Sequence, residues 1–352
     1  MKTDILTVFK AENCGSFLQA WALKEQLSSM GNAVRFCDYS QQFNLITNTI
    51  VGAVKCCLKL RFKRATNILK KNIDFKNFQK KLKVVDIAKD KADMYFFGSD
   101  TLWNFQDAYF KRQIPFFMGV GIKKPCYAYS ISVGSTPKDV FVGCDEVVKN
   151  IQKFKKIAVR DKHSEDVVSA VYPKENIVRT IDPTLLIDKD VYIRNYAIKR
   201  DCFKKKLLIY YFGEIPKALW EEIVAFARKK DLTILNVGAY DERYDKNVVA
   251  SPKNFISAFS NAEYIFTNTF HGCVFSTIFN KQFATDGVCK KKIEGFLEEF
   301  SLLGRVVKTG DDVEKVFLTP VDYDEVNKLV AEARKRSIGY LQNAIDEVKC
   351  SE

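Results

Sequence analysis

At 352 residues the chain exceeds one ordinary domain, and two α/β domains of about 150–180 residues each are expected. Apolar residues make up 47% and charged residues 28%, the balance of a soluble globular protein with a sizeable core, which excludes a disordered chain. The formal charge of +13 points to anionic partners such as phosphates, acidic headgroups or nucleic acid, unless the excess is only solvated lysine.

The first residues, Met1-Lys2-Thr3-Asp4-Ile5, lack a charged region followed by an apolar run, so no secretory signal is expected. No stretch approaches the roughly 18–20 apolar residues of a membrane span. The 10 cysteines are scattered without a Cys-x-x-Cys pair, which suits reduced thiols in a cytoplasm rather than a zinc site or disulfide framework. With only His163 and His271, a histidine-rich metal centre is excluded, and neither a metal nor a cofactor is expected, although a carboxylate-bound divalent ion stays open.

Short β-branched or aromatic runs alternate with amphipathic stretches. In chain order, the pattern predicts a strand at Ile5–Phe9, a helix at Ser16–Met30 and a strand at Val34–Tyr39. Between that first strand and helix lies Asn13-Cys14-Gly15-Ser16, where Gly15 permits a tight turn and Ser16 can cap the helix, aiming N–H groups at an anion or sugar hydroxyl. Such a turn is common to doubly wound domains. Cys14, near a helix start, is a candidate for a lowered pKa or simple filler.

From Phe43 to Leu58 the apolar residues Phe43, Ile46, Ile50, Val51, Val54 and Leu58 recur at helical spacing. Lys55, Lys59, Arg61, Lys63 and Arg64 accompany them, then Lys70, Lys71, Lys76, Lys80, Lys81 and Lys83. An amphipathic helix trailing a basic stretch can lie in an anionic membrane interface; the alternative is a solvated hairpin packed on the first domain.

A strand at Met94–Phe97 leads into Gly98-Ser99-Asp100-Thr101-Leu102-Trp103-Asn104. Asp100 could accept a proton from a sugar hydroxyl while Trp103 covers a ring face; equally, Asp100 could cap a turn and Trp103 fill the core. Strands at Tyr127–Ser132 and Ile157–Val159 follow, the second ending at Arg160-Asp161 before a helix at Ser164–Val171. Arg160 is placed to grip a phosphate or carboxylate, or to pair with Asp161 or Glu165. Ile177–Val178 precedes Asp182-Pro183-Thr184, where Asp182 reads as structural.

The pattern breaks within Asp188–Lys206, which divides the chain into residues 1–190, with the basic helical segment 43–90, and 191–352. Strands at Leu207–Phe212, Ile234–Val237 and Tyr264–Thr267 follow, with helices at Lys217–Lys230 and Gly272–Asn280, and a last helix from Asp322 to Val348 that could fold back on the first domain. Thr267-Asn268-Thr269-Phe270-His271-Gly272 sets a histidine between a strand and a helix N-terminus, well placed as a general acid or anion ligand. Alternation of this kind means parallel sheets with ligands beyond the strands' carboxyl ends, where all these motifs fall.

Taken together, from Asn13 to Arg305, the chain resembles the polysaccharide pyruvyl transferase family. The resemblance rests on Asn13-x-Gly15-Ser16 with Gln19 and Ala22-Leu23, on Gly98-Ser99-Asp100 with Trp103-Asn104, and on Val159-Arg160-Asp161 with Ser164. It continues through Asp182-Pro183, Phe270-His271-Gly272 with Phe279-Asn280, and Lys292-Ile293 leading to Arg305. It implies an α/β fold of two Rossmann-like domains facing across a cleft, a GT-B-like arrangement, with residues 1–190 on the acceptor side and 191–352 on the donor side. It also implies transfer of the enolpyruvyl unit of phosphoenolpyruvate onto two sugar hydroxyls as a cyclic ketal.

By the same resemblance, His271 and Arg160 serve the donor, with Asn268, Thr269 and Gly272 beside them. Some relatives carry an arginine where this chain has Thr269, and Lys292 or Arg305 is a candidate to supply the missing charge. His271 and Asp100 are the catalytic candidates; Asn13, Gly15, Ser16, Ser99, Asp100 and Trp103 are the acceptor candidates. The acceptor would be a saccharide of a surface or capsular polysaccharide precursor, a lipid-linked one included, reached at the inner face of the membrane. The rival readings are a nucleotide-sugar glycosyltransferase of the same architecture and a non-enzymatic basic protein for membrane or nucleic acid; no nucleic-acid motif is present, and nucleic acid is not expected as a partner.

Overall fold

A computed structural model of the chain describes residues 1–38, 45–87, 92–201, 205–286, 291–307 and 313–351. Seven parallel strands form the first sheet: β1 (Lys2–Leu6), β2 (Ala33–Cys37), β3 (Val84–Val85), β4 (Met94–Phe97), β5 (Cys126–Ile131), β6 (Phe154–Val159) and β7 (Ile177–Arg179). Their order is β3-β2-β1-β4-β5-β6-β7. Five more, β8 (Lys206–Tyr210), β9 (Thr233–Gly238), β10 (Lys246–Val249), β11 (Tyr264–Thr267) and β12 (Gln282–Thr285), form a second parallel sheet in the order β10-β9-β8-β11-β12.

Strands β4 (Met-Tyr-Phe-Phe), β5 and β8 (Lys-Leu-Leu-Ile-Tyr) are buried along their whole length, as a sheet covered on both faces requires. Each sheet reverses its strand order once, between β1 and β4 and between β8 and β11. A crevice opens at such a point because the connections on its two sides leave in opposite directions. The protein thus has two Rossmann-like domains facing each other across a cleft, as in GT-B folds.

The first two helices of the chain, α1 (Cys14–Ser29) and α2 (Leu45–Leu58), differ in burial. Helix α1 has Phe17, Leu18, Ala20, Ala22 and Leu23 all inside. A single apolar cluster joins α1 to residues of both sheets: Trp21 packs on Tyr192 at 5.3 Å between ring centroids, and Tyr192 on Phe275 at 5.4 Å. The final helix, Tyr323–Lys349, returns to the first sheet, where Tyr340 Oη donates to the carbonyls of Ala128 (2.7 Å) and Lys156 (3.0 Å).

Helix α2 pairs with α3 (Phe62–Gln79) in a hairpin. Its root is tied to the loop after β1: Asn72 and Thr49 both donate to Glu12, Gln79 donates to the carbonyls of Phe9 and Lys10, and Phe75 is buried edge-on against Phe17. Phe43, part of the predicted helix, lies outside the described residues. Among the described residues no helix is long and apolar enough to cross a membrane.

Candidate active site

A cavity of about 420 Å³ lies where the carboxyl ends of β1, β4, β8 and β11 converge, so it sits at the reversal points of both sheets. Each wall comes from a turn with its own local logic. Asn13 caps α1, its side chain accepting from the Ser16 amide at 3.2 Å. Ser16 is thereby turned outward, and its Oγ donates to Asp100 Oδ2 at 2.8 Å. Gln19, fully buried one turn on, donates to Thr7 Oγ1 and to the Val8 and Ser16 carbonyls and accepts from the Ser99 amide and hydroxyl. That one amide ties the β1 loop, α1 and the β4 loop together.

Asp100 follows β4 with φ 84°, a left-handed conformation that aspartate tolerates better than most residues. Its Oδ1 accepts from the Thr101 amide and lies 3.9 Å from Arg160 Nη1. Burial works to raise this carboxyl, but Arg160, His271, Lys292 and the Ser16 hydroxyl together hold it below its ordinary value. The group is therefore an ionised acceptor at neutral pH.

Arg160 projects from the end of β6 into the floor of the cavity and is 7% exposed. Its Nη1 is 3.3 Å from Asp182 Oδ2, and its guanidinium lies 4.7 Å from the Phe270 ring centroid. Nε and Nη2 are buried and have no hydrogen-bond partner. The alternative pairing with Asp161 or Glu165 is not what forms. Asp161 instead caps the Lys162–Val168 helix, accepting from the Ser164 amide and hydroxyl and from Ser132.

His271 lies in the first turn of the Phe270–Ile278 helix, capped by Thr269, whose Oγ1 accepts from the Gly272 amide at 2.9 Å. Its Nε2 is buried and 3.6 Å from Asp182 Oδ2, too long for a hydrogen bond but within ion-pair range. The other side of the ring rests on Gly15: a Cβ there would come within 2.1 Å of Nδ1, so only glycine allows the two domains to meet so closely. Asn268 ties β11 to β8 through paired hydrogen bonds with the Phe212 backbone (2.9 and 2.8 Å). Lys292, at the start of the Lys291–Glu299 helix, also lines the cavity.

Asp182 is the residue that sequence reasoning set aside. It is fully buried, with Oδ1 accepting from the Thr184 amide and hydroxyl and Oδ2 facing both Arg160 and His271. Burial favours its neutral form, yet the His271 imidazole, the Arg160 guanidinium and the Thr184 amide outweigh that and hold the carboxyl well below the usual range. It faces the guanidinium and the imidazole of the site at once. A strand-end Asp-Pro was the available signal, but its partner lies in the other domain.

Three candidates are corrected. Trp103 is fully buried, donating its indole N–H to the Phe117 carbonyl at 3.0 Å and packing on Phe141 and Phe154; it fills the core and covers no ligand. Ser99 is spent on Gln19 and faces inward. Arg305 is 4% exposed and donates to the carbonyls of Val316 and Thr319, so it stabilises the second domain and supplies no charge to the cavity. Burial also pushes the Cys14 thiol up to about 12, which removes it as a reactive thiolate. Tyr109 and Phe110, from the segment after β4, line the cavity and were not anticipated. Among the described residues no cluster of three or more His, Cys, Asp or Glu side chains could hold a metal ion.

The family model for polysaccharide pyruvyl transferase matches residues 13–285, which include the described residues lining the cavity except Val8, Lys10, Ala11 and Lys292. No curated protein matches the sequence. Among solved structures, a UDP-GlcNAc 2-epimerase from Neisseria meningitidis bound to UDP-GlcNAc aligns over 100% of both chains at 11% identity and TM-score 0.53. A protein from Listeria monocytogenes described as such an epimerase aligns over 98% of this chain and 97% of its own, also at 11% and 0.53. The enzyme from Rickettsia bellii aligns over 99% and 96%, at 10% and 0.51. At such identities these likenesses speak for the fold alone. The family match covers most of the chain: it belongs to the polysaccharide pyruvyl transferase family and is an enzyme of that kind.

Proposed function

We propose that this pyruvyl transferase takes phosphoenolpyruvate, drawn from the cytoplasm, as its donor, and that its cavity joins the pyruvyl unit to two hydroxyls of a saccharide of a surface or capsular polysaccharide precursor. The observation that carries the reading is Arg160: a buried guanidinium with Nε and Nη2 unsatisfied in a ligand-sized cavity. Leaving two buried charged donors unpaired is costly, and a planar carboxylate or a phosphate would satisfy both. Lys292 lines the same cavity and adds a second cation, as a donor with two anionic groups requires.

The chemistry assigns each group a step. Proton delivery to the methylene carbon of the donor makes the adjacent carbon electrophilic, and His271, which lines the cavity, is the group assigned to deliver it. One saccharide hydroxyl adds to that carbon and loses its proton, for which ionised Asp100, steadied by Ser16, is the base. Phosphate departs with the bridging oxygen and takes the proton held by Asp100, and the second hydroxyl adds in its place and returns its proton to His271. The sum is one donor and one diol giving a cyclic ketal and inorganic phosphate. The test is phosphate release from phosphoenolpyruvate against galactosyl, mannosyl and N-acetylmannosaminyl acceptors; absence of release with every acceptor, in protein that binds the donor, would remove the transfer step.

A nucleotide-sugar donor is the second reading. It is favoured by a further cavity of about 560 Å³ at the carboxyl edge of the second sheet, lined by Tyr211, Asn236 and Tyr240, and by the UDP-GlcNAc bound in the Neisseria structure. Thermal stabilisation by phosphoenolpyruvate compared with a panel of sugar nucleotides separates the two, because only a true ligand raises stability in proportion to its logarithmic concentration.

A further inference from the structure

The α2–α3 hairpin ends in a surface that the transfer reaction does not use. Ile50 (53%), Val54 (50%), Leu58 (80%), Leu60 (78%) and Phe62 (59%) are all exposed. On α2 the exposed apolar positions 50, 51, 54 and 58 share one helical face; on α3, positions 62, 69 and 73 do the same. Single exposed apolar residues need no explanation, but two aligned stripes meeting at one turn form a patch.

Charge distinguishes this patch from a surface meant for a second protein core. Between Leu45 and Ile73 the sequence holds Lys55, Lys59, Arg61, Lys63, Arg64, Lys70 and Lys71 and no Asp or Glu. Lys55, Lys59, Arg61 and Lys70 are exposed beside the apolar stripes. On the side facing the second domain, Lys63 and Arg64 meet Tyr240, Asp241 and Glu242; the outward side has no such opposition among the residues described. Apolar side chains ringed by unopposed cations match a bilayer surface bearing anionic headgroups, which takes up both.

We infer that the tip of the α2–α3 hairpin docks the enzyme on an anionic lipid bilayer, with Leu58, Leu60 and Phe62 entering the headgroup boundary and the surrounding cations binding its phosphates. The root of the hairpin, held by Glu12 and Gln79, transmits that anchorage to the body of the protein. The position of the tip has a consequence for the site. A cavity between Leu60–Arg64 and Tyr240–Arg243 shares Arg64, Tyr240, Asp241 and Arg243 with the next, which in turn shares Asn13, Tyr210 and Phe212 with the donor cavity. The three cavities thus adjoin one another between the tip and Asn13. Delivery of a lipid-borne acceptor past them rests on the proposed transfer reaction; the docking does not.

Co-sedimentation with phosphatidylcholine vesicles, with and without phosphatidylglycerol, tests the docking. The wild-type protein should pellet with the anionic vesicles only, and less at high salt. The variant Lys55→Glu/Lys59→Glu/Arg61→Glu should bind at least about a hundredfold more weakly, since each cation near the surface contributes roughly fivefold. Leu58→Ser/Leu60→Ser/Phe62→Ser should also release the vesicles, with unchanged melting temperature and unchanged phosphate release on a soluble acceptor. Equal vesicle binding by wild type and both variants would overturn the inference. So would a wild-type dimer in sedimentation velocity that the serine variant dissolves without any vesicle binding, which would assign the patch to a second copy of the chain. Loss of phosphate release alone would count against the reaction and leave the docking standing.

Discussion

The floor of the cavity and the tip of the hairpin are both cationic, and they hold their charge in opposite ways. Arg160 is 7% exposed, braced by Asp182 and Phe270, with two donors still unsatisfied. The hairpin cations stand in solvent, and few acids oppose them. A buried, braced cation loses little entropy on binding and discriminates by geometry, whereas exposed lysines gain from any anionic surface and are screened by salt. The net charge of +13 thus sums two kinds of cation, one buried and braced and one solvated.

The contrast should break most sharply at His271. His271→Ala is expected to lower the rate of phosphate release by roughly 100- to 10,000-fold, the range for loss of a general acid–base group. Near-normal turnover in steady-state assays would remove it from catalysis.

Next in size is Asp182. Its carboxyl is held below its unfolded value, so its contribution to stability is complete above pH about 4 and is lost as pH falls through the lower, folded value. Removing one member of a buried charge cluster costs about 3–5 kcal/mol. Asp182→Asn should therefore unfold at lower denaturant at pH 7, and its stability should fall less steeply than wild type on acidification below pH about 4. Parallel acid-denaturation curves would show that Asp182 carries no such charge coupling.

Gly15 offers a third test. Alanine there would force His271 or α1 to shift, at a cost of about 1–3 kcal/mol for overpacking, and phosphate release should drop while the melting curve stays cooperative. Unchanged kinetics would mean that the two domains do not close on each other as described.

The smallest effect belongs to the tip. Lys55→Glu/Lys59→Glu/Arg61→Glu should alter folding stability by no more than about 0.5 kcal/mol per site, as exposed substitutions do. A larger loss in chemical denaturation would make the hairpin cations structural.

Most of this architecture was legible in the sequence. β4 and β11 were predicted with their observed bounds, because apolar runs ending in Gly98 and Asn268 leave little choice of register. β3, β10 and β12 escaped: they are sheet-edge or near-edge strands of two or four residues, and β10 and β12 contain polar side chains that carry no strand pattern. Within the site, strand-end turns were readable since parallel sheets present their ligands there. Which neighbour in a turn faces the ligand was not readable. Ser99 and Asp100 are adjacent, and only the structure shows one turned to Gln19 and the other to Arg160. Trp103 and Arg305 were chosen for chemical type, but each is satisfied by carbonyls inside its own domain. Asp182 was passed over for the converse reason, since its importance comes from a histidine in the other domain.

The central claim is that Arg160 waits for the anionic donor, and calorimetric titration of phosphoenolpyruvate into wild type and Arg160→Gln tests it most directly. Wild type should bind, and the variant, provided it melts cooperatively, should bind at least about tenfold more weakly through loss of a charge-assisted contact worth about 1.5–3 kcal/mol. Equal affinity in the two proteins, or tight binding of a sugar nucleotide with none of phosphoenolpyruvate, would contradict the account.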